Sequence, residues 1–202
     1  MNEPDVFVLA ARTLNGVVAQ ITADQWSMTM PEWFLTQQAD QKPTLRDIVA
    51  YHAYEDAWVP DMLAGKTMAE VGEDAYRNDL LGKDPKASFA GLVELACSAA
   101  LALDDADLGR TVHCSFGDYP AREYFWQLNG FRGLRAHDIA EAIGVDCALP
   151  PDLVQALWEE ISPNAEEWRS IGVFPAAVPV PDDAPLLDRL LGLTGRTFNH
   201  SS

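Results

Sequence analysis

The chain has 202 residues, with 14 Lys and Arg against 31 Asp and Glu, for a formal net charge of −17. That balance argues against nucleic acid, whose phosphates call for clustered Lys and Arg, and against an anionic membrane surface; its plain use is solubility. A hydrophobic content of 48% and this length fit a single domain over residues 1–202, with a core from about 5 to 171 and a tail over 172–202.

Met1 to Asp5 is polar and acidic, without the basic start of a signal peptide. No apolar run approaches the length of a membrane span. Cys97, Cys114 and Cys147 are odd in number, far apart and not in CxxC form. They read as reduced thiols, which implies a cytoplasmic setting rather than a disulfide frame or a zinc knuckle.

In chain order, Asp5 to Ala23 carries Val6, Leu9, Ala10, Leu14, Val17, Val18 and Ile21 at helical spacing. A loop from Asp24 to Pro43 follows, with room for one short helical turn. Trp26 and Trp33 are expected to pin it to the core, with a place on a pocket rim as the alternative. Thr44 is a good N-cap, and Asp47 three residues on makes an approximate capping box. The helix it opens runs to about Ala64 and stops at Gly65. Pro60 lies inside and is expected to kink or break the last turn.

A short turn starts at Thr67. Pro85 then opens a helix to Leu103, rich in alanine. Residues 104–120 are the only stretch that looks extended, a short strand or arm around Thr111, Val112, Cys114 and Phe116. Pro120 opens a long helix to Gly144, with Gly130 and Gly133 in its middle, each costing about 1 kcal/mol relative to alanine. Those glycines suggest close backbone approach or space for a ligand. Another helix begins at Pro151 and is expected to be interrupted at Pro163. The Pro-rich tail ends in a short helix, Pro185 to Leu193. Four longer helices joined by modest loops predict an all-α four-helix bundle with a short extended arm and a C-terminal wrap.

Several stretches carry a family likeness: LRDIVAYHAYEDAWVPDMLAG, TMAEVG, LLGKDP, RTVHCSFGDYPAREYFWQL, DIAEAIG and VPVPDDAPLLDRLLGLTGR. Together they resemble the actinobacterial DinB-like proteins related to the metal-binding domain of mycothiol-dependent maleylpyruvate isomerase. The likeness runs from about Thr44 to Arg196. It implies a DinB/YfiT-like four-helix bundle, commonly with a divalent metal (zinc or nickel) at one end, used to activate a thiol such as mycothiol for transfer or isomerisation.

The metal motif does not carry over whole. His52 matches the ligand of the second helix. The register set by DIAEAIG at Asp138 puts Arg135 where the family has a histidine. It puts Phe131 where the family has an acidic residue or histidine. His137 lies two residues past the expected ligand position, about 200° around the helix, and so on the other face. Its ordinary use is a hydrogen bond to a neighbouring helix.

His52 and Asp56, four apart, share one helix face. A carboxylate there can take Arg135 in a bidentate pair, so that a guanidinium stands where relatives hold a metal cation, as a salt bridge or as an anion-binding group. Other candidates are weaker. Glu55 reads as a solvated carboxylate, and Cys97 as a core residue. His113 and Cys114 are adjacent in an extended segment, where side chains point apart. His200 is uninformative.

Three functions follow. One is a metal-free DinB-like protein that binds a small molecule in the bundle, with His52 as general base, Arg135 as anion binder and Asp56 beside them, and no cofactor. The second is a divalent-metal-dependent, thiol-using transferase or isomerase with His52 and His137 as ligands, Asp56 nearby and mycothiol as the thiol. The third is an acidic protein-interaction module. Pairing of two copies through helix faces, a homodimer, is a further expectation.

Overall fold

The computed structural model describes residues 1–34, 42–147 and 149–197. The chain is mostly helical with one two-stranded antiparallel sheet, in keeping with the all-α class. It divides into two compact units, Asn2–Ala148 and Leu149–Ser202, Met1 grouping with the second. The helix after Pro150, placed in the core by the sequence reading, therefore groups with the tail.

In the first unit, α1 spans Glu3–Val18, starting and stopping earlier than its apolar pattern suggests. Asn2 caps it by accepting from the Asp5 amide. Phe7, Ala10, Leu14, Val17 and Val18 bury one face. A single 3₁₀ turn, Gln25–Ser27, occupies the following loop. Met28 to Met30 then runs beside the start of the next helix, through Met30 N to Pro43 O (2.9 Å) and Leu45 N to Met28 O (2.9 Å). The aromatic that anchors this loop is Phe34, 3% exposed; Trp33 is 45% exposed. The rest of the predicted loop, residues 35–41, lies outside the described residues, as does His200.

Helix α2 spans Leu45–Leu63 behind a complete capping box of Thr44 and Asp47. Its inner stripe is Leu45, Val49, His52, Asp56, Val59 and Leu63, all buried and spaced three or four apart. Pro60 does not end the helix: the chain stays helical through it to Leu63. What Pro60 removes is the amide that would have bonded the Asp56 carbonyl. Helix α3 is the short turn Met68–Val71, capped by Thr67.

Helix α4, Pro85–Leu101, buries Phe89, Val93, Ala96, Cys97 and Ala100. The extended arm is a hairpin: β1 (Thr111–Cys114) pairs antiparallel with β2 (Gly117–Pro120), Cys114 opposite Gly117. The expected single strand or arm around Thr111 to Phe116 thus has a second strand beside it, which Gly117 opens at φ 140°. Helix α5, Ala121–Ile143, closes on Gly144 in the left-handed region at φ 73°. Within this unit α1 packs on both α5 and α4, and α2 packs on α4.

The second unit holds α6 (Pro151–Ser170) and α7 (Leu186–Leu193), which pack on each other. Helix α6 continues through Pro163, against the expected interruption. Arg169 ties the unit together, donating to the carbonyls of Pro175 (3.0 Å) and Leu193 (2.8 Å). Among the described residues no helix is long and apolar enough to cross a membrane.

Candidate functional site

Helix α5 turns an apolar stripe toward the interior: Phe125, Leu128, Arg132, Ala136, Ile139 and Ile143, all buried. Arg132 sits in the middle of it with no exposed surface. Opposite, the stripe of α2 has its own polar break at His52 and Asp56, each 1% exposed. The two breaks meet. Arg132 donates from Nε (3.2 Å) and Nη2 (2.6 Å) to Oδ1 of Asp56. Helices α2 and α5 thus reach each other through long side chains.

This corrects one expectation. The guanidinium that Asp56 receives is that of Arg132, one turn before Arg135. Arg135 instead lies over the rings of Phe34 (4.4 Å) and Phe131 (4.8 Å), with Nη1 3.5 Å from Asp138. Even so, positions 52, 131 and 135 do gather. The His52 ring is 5.2 Å from that of Phe131, on which Arg135 stacks. Phe7 of α1 covers the Arg132 guanidinium at 4.9 Å, and Asn129 donates to the Glu3 carbonyl at 3.3 Å.

The bonding is incomplete. Both contacts from Arg132 fall on one oxygen of Asp56, so Asp56 Oδ2 and Arg132 Nη1 are buried without partners. Both ring nitrogens of His52 and the Oε2 of Glu55 are in the same state. His52 Nδ1 stands 3.3 Å from Glu55 Oε2, close but too poorly aligned for a hydrogen bond. Each buried orphan costs on the order of 1–3 kcal/mol, so a cluster of them is either occupied or maintained for a purpose.

Electrostatics follow the geometry. Burial pushes the His52 pKa down, and the neighbouring Glu55 carboxylate only partly restores it; Arg135 and Arg132 push it down further. Burial alone would raise Glu55, but its contact with His52, the charge of Arg132 and the Tyr51 hydroxyl hold it below the usual range. Burial raises the Asp56 pKa against the pull of Arg132. For Arg132 burial works against the charge, and the attraction of Asp56 and Glu55 outweighs it. At 2.6 Å the two form an ion pair, with a carboxylate easier to protonate than an exposed one. Tyr51, 47% exposed, has its phenol pushed up to about 12 by burial and by Glu55.

The remaining candidates are dispersed. His137 is half-buried beside Asp138, 3.8 Å away on its own helix. His113 Nδ1 pairs with Asp118 at 2.9 Å while Cys114 Sγ donates to the Gly117 carbonyl, so the two neighbours form no nucleophilic pair. Cys97 is a core residue whose thiol burial pushes up to about 11. Glu55 is not on a solvated face: its side chain is 17% exposed and meets His52. Arg132 is the residue missed from the sequence, and Glu55 is a weaker candidate there that the structure brings to the site. The signal for Arg132 was present, since spacing from Phe125 and Leu128 to Ala136 and Ile139 runs through it.

Among the described residues no three His, Cys, Asp or Glu side chains converge as a divalent metal requires. A ring and a guanidinium hold the places of the two further ligands that the resemblance implies.

Comparisons with protein-family models, with curated proteins and with solved structures returned no match for this chain.

Proposed function

We propose that α1, α2, α4 and α5 form a DinB-like four-helix bundle that binds a small molecule at the α2–α5 seam. Two buried arginines lie beside carboxylates there, Arg132 by Asp56 and Arg135 by Asp138, where the resemblance implies a metal. The observation that carries the reading is His52. Its ring is almost wholly buried, yet neither nitrogen has a partner, and it stands beside an ion pair with an unused donor and an unused acceptor. Such groups are tolerated where something else completes them. Three free cysteines suit a reducing, cytoplasmic setting.

The test uses purified, untagged protein. Its metal content is measured after incubation with zinc, nickel and manganese, and a small-molecule library is then screened by thermal shift. The reading expects no bound metal, and hits whose shift disappears in His52→Ala with the helical circular dichroism spectrum intact. One equivalent of metal lost in His52→Ala would overturn it in favour of metal-dependent thiol chemistry.

A further inference from the structure

The α2–α5 seam is more specific about its ligand than a polar cavity would be. Asp56 is answered by Arg132 at 2.6 Å, and Asp138 lies 3.5 Å from Arg135. Glu55 Oε2 stands 3.3 Å from His52 Nδ1, with the charge of Arg132 and the Tyr51 hydroxyl also acting on that carboxylate. The acidic groups Glu55, Asp56 and Asp138 sit on a chain that is itself at −17.

The Glu55 carboxylate is placed to receive. Glu55 Oε2 is buried without a hydrogen-bond partner, while 17% of the side chain still reaches the surface. His52 Nδ1 is 3.3 Å away, and a neutral imidazole always keeps one nitrogen as an acceptor. The second oxygen of Asp56, one helix position on, is also unused.

The surroundings are aromatic. Tyr51, half-exposed, stands edge-on to both His52 (5.8 Å, 78°) and Phe131 (6.1 Å, 86°). Phe131 already takes one cation, the guanidinium of Arg135. Rings set at right angles around a carboxylate suit a positively charged organic group.

We infer that the ligand of this seam is a small organic amine, with its ammonium on Glu55 and His52 and its apolar part against Tyr51 and Phe131. This rests on the small-molecule reading above and replaces the expectation that Arg135 receives an anion. A carboxylate ligand would add a second negative charge beside Glu55.

Benzylammonium, benzoate and benzamide share one ring and differ in the charged end, so they test it directly at neutral pH by calorimetry and thermal shift. Benzylammonium is expected to bind and the other two not. Glu55→Gln is expected to weaken benzylammonium by about tenfold, the usual loss for a hydrogen bond to a charged group. Tyr51→Ala, at a half-exposed position, is expected to weaken it as well. Unchanged binding in folded Glu55→Gln overturns the inference. So does preferred binding of benzoate or benzamide, which leaves the small-molecule reading standing. Binding of none of the three, with no hit from the wider library, overturns both.

Discussion

Asp56 and Arg132 meet through a single oxygen: Nε and Nη2 of the arginine both point at Oδ1, and Oδ2 is left over. The pair is buried on both sides. Removing one partner strands the other, at a cost of roughly 3–5 kcal/mol. Arg132→Met and Asp56→Leu are each expected to lose that much by urea denaturation. The double variant is expected to lose far less than the sum. Additive losses would show that the two do not act as a pair.

His52 makes stability depend on pH. Its folded pKa is lowered from the ordinary 6.5 by burial, so below that value the unfolded chain takes up a proton that the folded chain refuses. Stability falls as pH drops from 6.5 toward the lowered value, and this contribution levels off beneath it. Asp56, raised from 3.8, acts with the opposite sign, losing stability as pH rises from 3.8 through its raised folded value. The stability of wild type minus His52→Gln, measured from about pH 7.5 to about pH 5, should decline on acidification. A flat difference would remove His52 as the source.

The gathering of His52, Phe131 and Arg135 gives a gain-of-function test. Phe131→Asp with Arg135→His supplies, with His52, three ligand side chains at positions that already meet. Zinc binding by calorimetry is the expected outcome. No gain in affinity over wild type would mean that 131 and 135 are not the counterparts of the family's ligands.

Thr44 holds the entry to α2 through its hydroxyl and Asp47. Thr44→Ala should lower stability by about 1 kcal/mol, read from chemical denaturation. A loss within a few tenths would imply that the Met28–Leu45 backbone contact alone starts the helix.

In the second unit, a methyl group at Gly192 would collide with Val180 Cγ2 and stand 2.7 Å from the Val178 carbonyl oxygen. Gly192→Ala should cost about 1–3 kcal/mol by overpacking. Limited proteolysis should then cut within residues 172–197 faster than in wild type. Equal rates would show that the segment of Val178 and Val180 shifts to make room.

Much of this fold could be read in advance where local chemistry decides. The Thr44 cap, Pro85 at a helix start and Gly144 at a helix end act within one turn of themselves. Prolines misled where packing decides: Pro60 and Pro163 sit inside helices that continue through them. At the site, His52 and Asp56 were legible from their shared face. The choice of Arg132 over Arg135 was not. A register borrowed from a family motif marked one position, while the apolar period of α5 marked the other, and only the distance across to Asp56 separates them.

The buried pair also bears on how α2 and α5 are aligned lengthwise. A slip of one turn, about 5.4 Å, would part Asp56 from the Arg132 guanidinium. The contact therefore acts as an index mark between two helices whose facing stripes are otherwise mostly apolar, adding selectivity to whatever strength it contributes. In the Leu/Met double variant that mark is gone, and more than one set of amide resonances from α2 and α5 is the expected signature. A single sharp set matching wild type would assign the alignment to the surrounding packing instead.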